Sequence, residues 1–308
     1  MFRKLIGTAT LATLLPLAAA AADGMEIFKQ VRPSLVQVVS VGTNGRYHMG
    51  SGVTLPNGTI VTNCHVTLTA TRVMLFGGGQ GDGATLEAAD VAHDLCSLTF
   101  PSVERPAVEV RGSRTLKVGE PVYAIGFNAG RALTFQAGEI AELFEHDGAL
   151  VIRTTAAFTH GASGGGLFDQ EGHLVGILTF FRTQPGGVSY FAVPADWLQA
   201  LASAPAHEVA PLQGLPFWAE QTDRQPAYLK AAVLEADQRW GDLLNLARDW
   251  TSARPDDGQA WLALGKAALN TGEADAARDA FKRATALGIV YPVVASPAVA
   301  QTGESLSQ

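Results

Sequence analysis

The sequence predicts a mainly β domain followed by a small α-helical module. Three observations carry this expectation. From Glu26 to about Ala192, short apolar or alternating runs follow one another, separated by Gly, Pro, Asn and Asp. No amphipathic helix intervenes between them, which argues against a parallel α/β sheet. After Trp197 the pattern changes, first to scattered prolines and then to Ala/Leu-rich helical spacing. At 308 residues, 47% hydrophobic and 17% charged, the chain can hold one large and one small domain and is too apolar to be disordered.

Taken in order, residues 1–22, MFRKLIGTATLATLLPLAAAAA, place Arg3 and Lys4 before an apolar run that ends in small residues. This is the three-part pattern of a secretory signal peptide, so the mature chain is expected to start near Asp23 in an exported compartment. The apolar run is short for a spanning helix and is interrupted by Thr8, Thr10, Thr13 and Pro16. No later segment reaches spanning length, and no integral membrane segment is expected in the mature chain. The whole chain carries a formal net charge of −7. Its basic residues are scattered singly, which disfavours nucleic acid as a partner.

The β region reads as SLVQVVSV, GSGVTL, TIVTN, RVMLF, PVYAIGF, ALVIRT, HLVGILTF and VSYFAV, with turn signals such as Pro56-Asn57-Gly58 between them. Many short strands at close spacing predict a barrel or sandwich. The glycine cluster FGGGQGD lacks the Gly-Lys-Ser/Thr of a phosphate loop and is read as a hairpin turn. Pro205, Pro211, Pro216 and Pro226 mark an expected linker over 205–226. An α module is expected over 227–291, with a flexible tail over 292–308. Within it, Trp261, Leu264, Gly265, Ala277, Phe281 and Ala284 follow the W-x2-L-G and A-x3-F spacing of a tetratricopeptide repeat, with Gly272 at the turn. Two such repeats offer little concave surface, so the module is read either as a docking site for a protein partner or as a helical cap.

Chemistry concentrates in three places. THGASGGGLF sets Ser163 among glycines, GSGVTLPNGTIVTNCHV ends a strand-like run near His65, and ADVAHDLCSLTF puts Asp94 before another apolar run. A serine hydroxyl is a weak nucleophile at neutral pH, and hydrolysis needs a histidine base oriented by a carboxylate. Each residue alone has an ordinary structural explanation. Their joint appearance in His, Asp, Ser order points to a catalytic set.

These motifs, together with YFAVPADWL, resemble the trypsin-like serine proteases and within them the HtrA (DegP-like) branch, over roughly residues 25–198. The resemblance implies a two-barrel chymotrypsin-like domain over 23–204 with His65, Asp94 and Ser163 as the catalytic triad. It also implies an oxyanion hole from the amides of Gly161 and Ser163, polypeptide substrates, no cofactor, and a periplasmic location. Phe158, His160, Leu178, Thr179 and Phe180 would then contact substrate. No acidic residue falls among the lining positions, so a small or apolar residue is expected before the scissile bond.

Two departures stand out. Ala162 precedes the nucleophile where digestive trypsin-like proteases carry Asp and HtrA proteins commonly carry Asn, so activation by a newly cut N-terminus is not expected. Helical repeats stand where HtrA proteins usually carry a PDZ domain. The alternative reading is a catalytically silent, protease-like scaffold acting through its repeats.

Within the resemblance, Cys64 precedes the base and Cys96 follows Asp94 by two positions. A Cys64–Cys96 disulfide is expected, with two buried free thiols as the alternative. The other histidines, His48, His93, His146, His173 and His207, show no metal-ligand spacing, and two cysteines are too few for a typical structural zinc site. Most of them are read as solvated, and no metal is expected.

Overall fold

The computed structural model describes residues 24–77, 80–101, 105–129, 132–184 and 187–289. The expected leader and the expected tail lie outside them. Two compact units divide between Pro226 and Ala227.

The first unit opens with a helix over residues 24–31, α1. Leu35–Gly42 (β1), Tyr47–Thr54 (β2), Ile60–Thr62 (β3), Ala70–Gly77 (β4), Gln80–Gly83 (β5), Leu86–Asp90 (β6) and Leu95–Thr99 (β7) follow, with a single helical turn, Cys64–Thr67 (α2), after β3. With His207–Glu208 (β14) they form an eight-stranded sheet in the order β14-β6-β7-β3-β2-β1-β4-β5. All its named strand pairs are antiparallel, as short β-branched runs joined by tight turns favour. The FGGGQGD cluster joins β4 to β5, which pair with Gly77 opposite Gln80. One apolar core serves this sheet: Val36, Val38, Ile60, Val73, Leu75 and Leu98 are buried against one another, with Val66 of α2 among them.

Pro121–Asn128 (β8), Ala132–His146 (β9), Ala149–Thr154 (β10), Gly166–Phe168 (β11), Leu174–Gln184 (β12) and Gly187–Pro194 (β13) make the second sheet. It closes on itself as β10-β13-β12-β11-β8-β9. Closure removes exposed edges and encloses a core that includes Val122, Ile140, Ile152, Leu167, Val175 and Leu178. The expected two-barrel arrangement thus consists of one closed barrel and one sheet whose edges are β5 and β14. A short helix, Leu198–Ala202 (α3), ends the segment that runs on from β13.

The stretch read as a linker, 205–226, belongs to the first unit and is bonded to its β sheet and loops. His207 and Glu208 pair with Glu87 and Leu86 of β6, and the amides of Leu212 and Phe217 donate to the carbonyls of Leu68 and Ala92. Phe217 is buried, with ring contacts to His146, Trp197 and Phe180.

The second unit is helical: Ala227–Ala236 (α4), Trp240–Ala253 (α5), Gly258–Thr271 (α6) and Ala274–Ala286 (α7). Asp257 caps α6 by accepting from the Gln259 amide, and the indole of Trp250 donates to the same carboxylate. Gly272, at φ 86°, ends α6 in the left-handed region. At Gly265 a β-carbon would lie 2.7 Å from the Phe281 ring, so the absence of a side chain there lets α7 approach α6. Leu243, Ala247, Ala267 and Ala277 form the centre of its core.

Candidate active site

His65 sits in α2, the single turn that begins where β3 ends. Asp94 occupies the turn between β6 and β7 with φ 62°, a left-handed conformation that Asp tolerates better than most residues. The disulfide Cys64–Cys96 joins the two segments, and the Cys64 amide donates to the Asp94 carbonyl at 3.3 Å. Asp94 is fully buried. Its Oδ1 accepts the His65 amide at 2.8 Å, and its Oδ2 lies 2.6 Å from His65 Nδ1. A carboxylate only accepts, so Nδ1 carries the proton and Nε2 of the neutral ring is left with a free lone pair. The indole Nε1 of Trp218 donates to the same Oδ2 at 3.1 Å. That contact is absent from the sequence reading, where Trp218 falls in the proline-marked linker.

Ser163 lies in the loop between β10 and β11. Its Oγ donates to the carbonyl of Thr179 at 3.3 Å. The Asn63 side-chain amide, two residues before His65, reaches both the Asp94 carbonyl at 2.9 Å and the Thr179 hydroxyl at 3.2 Å. Asn63 and Thr179 thereby gather the three sequence-predicted residues at one junction. The nucleophile loop is held from the first sheet: Ser51 of β2 donates its amide to the Ser163 carbonyl at 2.7 Å and its hydroxyl to the Gly161 carbonyl at 2.8 Å. Gly161 has φ 93° and Gly164 φ 84°. A β-carbon at Gly164 would stand 2.1 Å from the Ser51 carbonyl oxygen, so only glycine fits. Ala162 is fully buried and packs against Gly126. Among the described residues, the amides of Gly161 and Ser163 donate to no protein acceptor, whereas that of Ala162 donates to Thr159.

The expected substrate contacts divide. Phe158 and Leu178 are buried in the core of the closed barrel, Phe158 with its ring 5.3 Å from that of Tyr190. Thr179 and Phe180 are buried as well, and Phe180 is stacked between Phe191 at 4.6 Å and Trp218 at 5.0 Å. His160 is exposed, with its ring 5.0 Å from that of Phe181.

Some histidines read as solvated are not. His93 lies with Nδ1 2.7 Å from Asp90, Nε2 3.2 Å from Asp147 and its ring against Trp197. Its side chain is 19% exposed. Burial opposes its charged form, yet the hydrogen bonds and charges of Asp90 and Asp147 outweigh that and raise its pKa. His93 and Asp90 are three residues apart in a turn, which is the pattern that could have been noticed. His173, with Asp169 and Glu171, brings ligand atoms within 4.8 Å of one another. Asp169 there accepts the amides of Glu171 and His173 and pairs with Arg111, so the group closes a turn.

Comparison with known proteins places this site in context. Residues 50–177 match the family model described as trypsin-like peptidase domain. The "Probable periplasmic serine endoprotease DegP-like" of Buchnera aphidicola is 34% identical over 173 residues, covering 52% of this chain and 37% of that protein. The mitochondrial serine protease HTRA2 of Drosophila willistoni is 32% identical over 162 residues, covering 49% and 37%. The chain thus spans well under half the length of these relatives. Among solved structures, the HtrA-type protease AlgW with tripeptide has a TM-score of 0.54 at 27% identity, covering 58% of this chain and 62% of that one. The active form of the Rv3671c protease from M. tuberculosis has a TM-score of 0.56 at 20% identity over 69% of this chain and all of that one, a likeness of fold alone. The first unit has the mainly β, chymotrypsin-like protease fold and is followed by several C-terminal helices.

Proposed function

We propose that this chain is an exported serine endopeptidase of HtrA type that hydrolyses peptide bonds through an acyl-enzyme, with His65, Asp94 and Ser163 as its triad. The observation that carries the reading is the pairing of His65 Nδ1 with the fully buried Asp94 carboxylate, with glycine-bounded Ser163 linked to the pair through Thr179 and Asn63. In the reaction, Ser163 Oγ turns from the Thr179 carbonyl toward His65 Nε2, gives up its proton there and attacks the substrate carbonyl. Asp94 holds the tautomer and stabilises the imidazolium. The amides of Gly161 and Ser163 donate to the oxygen as negative charge develops on it, and His65 returns its proton to the leaving amine. Water then enters, gives a proton to His65 as it attacks the acyl carbon, and His65 passes that proton to Ser163 Oγ as the ester bond breaks and the acid leaves. No metal or cofactor takes part in these steps.

Ala162 changes how this loop is set. A buried methyl group cannot pair with a new N-terminus, so the posture of Gly161 comes from Ser51 and from the loop's own backbone bonds. Activation by a newly cut N-terminus is therefore not part of this reading. The burial of Phe158, together with the absence of an acidic group among the expected lining residues, favours a small or apolar residue before the scissile bond. The leader pattern and the periplasmic relative support export to a periplasm. Among the described residues no helix is long and apolar enough to cross a membrane. The α6–α7 hairpin is read as a tetratricopeptide-like repeat, a candidate docking site for a protein partner.

The test is labelling with a fluorophosphonate probe, which needs an activated serine and a working oxyanion hole but no known substrate. Wild type labels, and Ser163→Ala and His65→Ala do not. Folded wild type that fails to label, or labelling that survives Ser163→Ala, overturns the proposal.

A further inference from the structure

We infer that Trp218 is a positioning residue for the His65–Asp94 pair, supplied by the segment that follows the protease fold. The inference rests on the proposed hydrolase reading and adds a fourth member to its machinery. Trp218 lies outside the residues that match the peptidase family model.

A buried carboxylate needs its lone pairs occupied, because no water reaches it. Asp94 receives the amide and ring N–H of His65 and, as the remaining side-chain donor, the indole N–H of Trp218. The Thr179 hydroxyl donates to the Ile177 carbonyl and accepts from Asn63, so it does not serve Asp94. Trp218 shares Oδ2 with His65, which fixes the carboxylate plane in the orientation that keeps Oδ2 on the imidazole. The indole also stands edge-on to the His65 ring, with centroids 5.6 Å apart and planes at 89°. One side chain therefore restrains both acid and base.

The indole is itself fixed. On one face it stacks on Phe180 at 13° between planes. The Arg182 guanidinium and the Gln225 side-chain amide both donate to the Trp218 carbonyl, at 3.0 and 3.2 Å. Just upstream, this 205–226 segment, a strap over the first sheet, is bonded to Leu68, three residues after His65, and to Ala92, two residues before Asp94. The strap thus grips the two segments that carry the base and the acid, and Trp218 closes over their junction.

The test compares wild type with Trp218→Phe, which keeps an aromatic ring beside Phe180 and removes the N–H together with one ring of the indole. Fluorophosphonate kinetics separate the labelling rate at saturation from the concentration for half-saturation. Trp218→Phe is expected to lower the first about tenfold, the scale of one hydrogen bond to a charged group, to leave the second unchanged, and to lower the melting temperature because buried Asp94 loses a donor. A low-field proton resonance of His65 Nδ1–H, assigned by its absence in His65→Ala, should move in Trp218→Phe. Saturating rate and resonance both at their wild-type values, or a loss confined to half-saturation, overturn the inference. If wild type itself does not label, the hydrolase reading fails. The resonance then decides alone: a shift keeps Trp218 as the group that positions Asp94, and an unmoved resonance removes it.

Discussion

The hydroxyl of Ser51 donates to the carbonyl oxygen of Gly161 at 2.8 Å while accepting the amide of Phe127 at the same distance. One buried oxygen from the first sheet thus ties β8 of the closed barrel to the loop that bears Ser163. That bond restrains the Gly161–Ala162 peptide, the unit that lies between the two amides proposed as oxyanion donors, before substrate arrives.

Ser51→Ala should therefore slow fluorophosphonate labelling by about tenfold, less than the loss of an oxyanion donor itself, since Ser51 acts through the peptide. It should also cost about 1–3 kcal/mol of stability, because the Gly161 carbonyl and Phe127 amide both lose their partner. Labelling at the wild-type rate would show that the loop holds its posture without Ser51.

The strands and the three chemistry-bearing motifs were legible because their signals are local. Alternation in SLVQVVSV and the glycines around Ser163 state their own conformations. Ser51 lies within GSGVTL, yet nothing in that run says that its hydroxyl meets residue 161. The strap was misread for a related reason: β14 is only two residues long, too short for any period, and Pro205, Pro211 and Pro216 look like a linker because they break helices and strands alike. Phe217 and Trp218 gain their meaning from His146, Phe180 and Asp94, all distant in sequence. The first sheet's open edges, β5 and β14, were equally invisible, since closure depends on which strands meet.

The Cys64–Cys96 bond closes a separation of 32 residues. In the chain-entropy model such a loop contributes about 3.5–4 kcal/mol. Replacing both cysteines by alanine should lower stability by about that amount in denaturant titration. Labelling should fall too, because the bond joins the segments that carry His65 and Asp94. Equal stability of the double variant and wild type would contradict the entropic account.

His93 makes stability depend on pH in a defined direction. With acceptors at both ring nitrogens, Asp90 and Asp147, the doubly protonated ring fits best. Its folded pKa is raised, so its contribution is complete below the unfolded value and is lost as pH rises through the folded one. Asp90 is opposed by burial but held down by the hydrogen bond and charge of His93, so its share is lost as pH falls through its lowered pKa. His146 and Trp197 pack against the ring, and His146 Nε2 also lies 3.9 Å from the Asp147 carboxylate that faces His93. The unfolding free energy of wild type minus that of His93→Gln, from denaturant titration, should peak between those limits, with a gap of about 1 kcal/mol, and shrink on the alkaline side. A gap that widens with rising pH would reverse the assignment.

Glu87 has the opposite character, a charge that the fold resists. It is fully buried on β6, its Oε1 accepts the Thr67 hydroxyl at 2.6 Å, and among the described residues its Oε2 has no hydrogen-bond partner. Burial raises its pKa, and the Thr67 bond and the His207 charge offset this only in part. A raised carboxyl favours the fold most below its unfolded pKa and loses that advantage as pH rises through the folded value. Glu87→Gln keeps the acceptor for Thr67 and cannot ionise. It should match wild type in melting temperature near pH 4, where the carboxyl is neutral, and exceed it by a margin that grows toward pH 8. Thr67 ends α2, the turn that carries His65. Ionising Glu87 therefore places an unpaired charge directly behind the helix of the base, and labelling by Glu87→Gln should hold at alkaline pH where that of wild type declines. A Gln variant less stable than wild type at pH 8 would mean that the ionised carboxylate is satisfied where it lies.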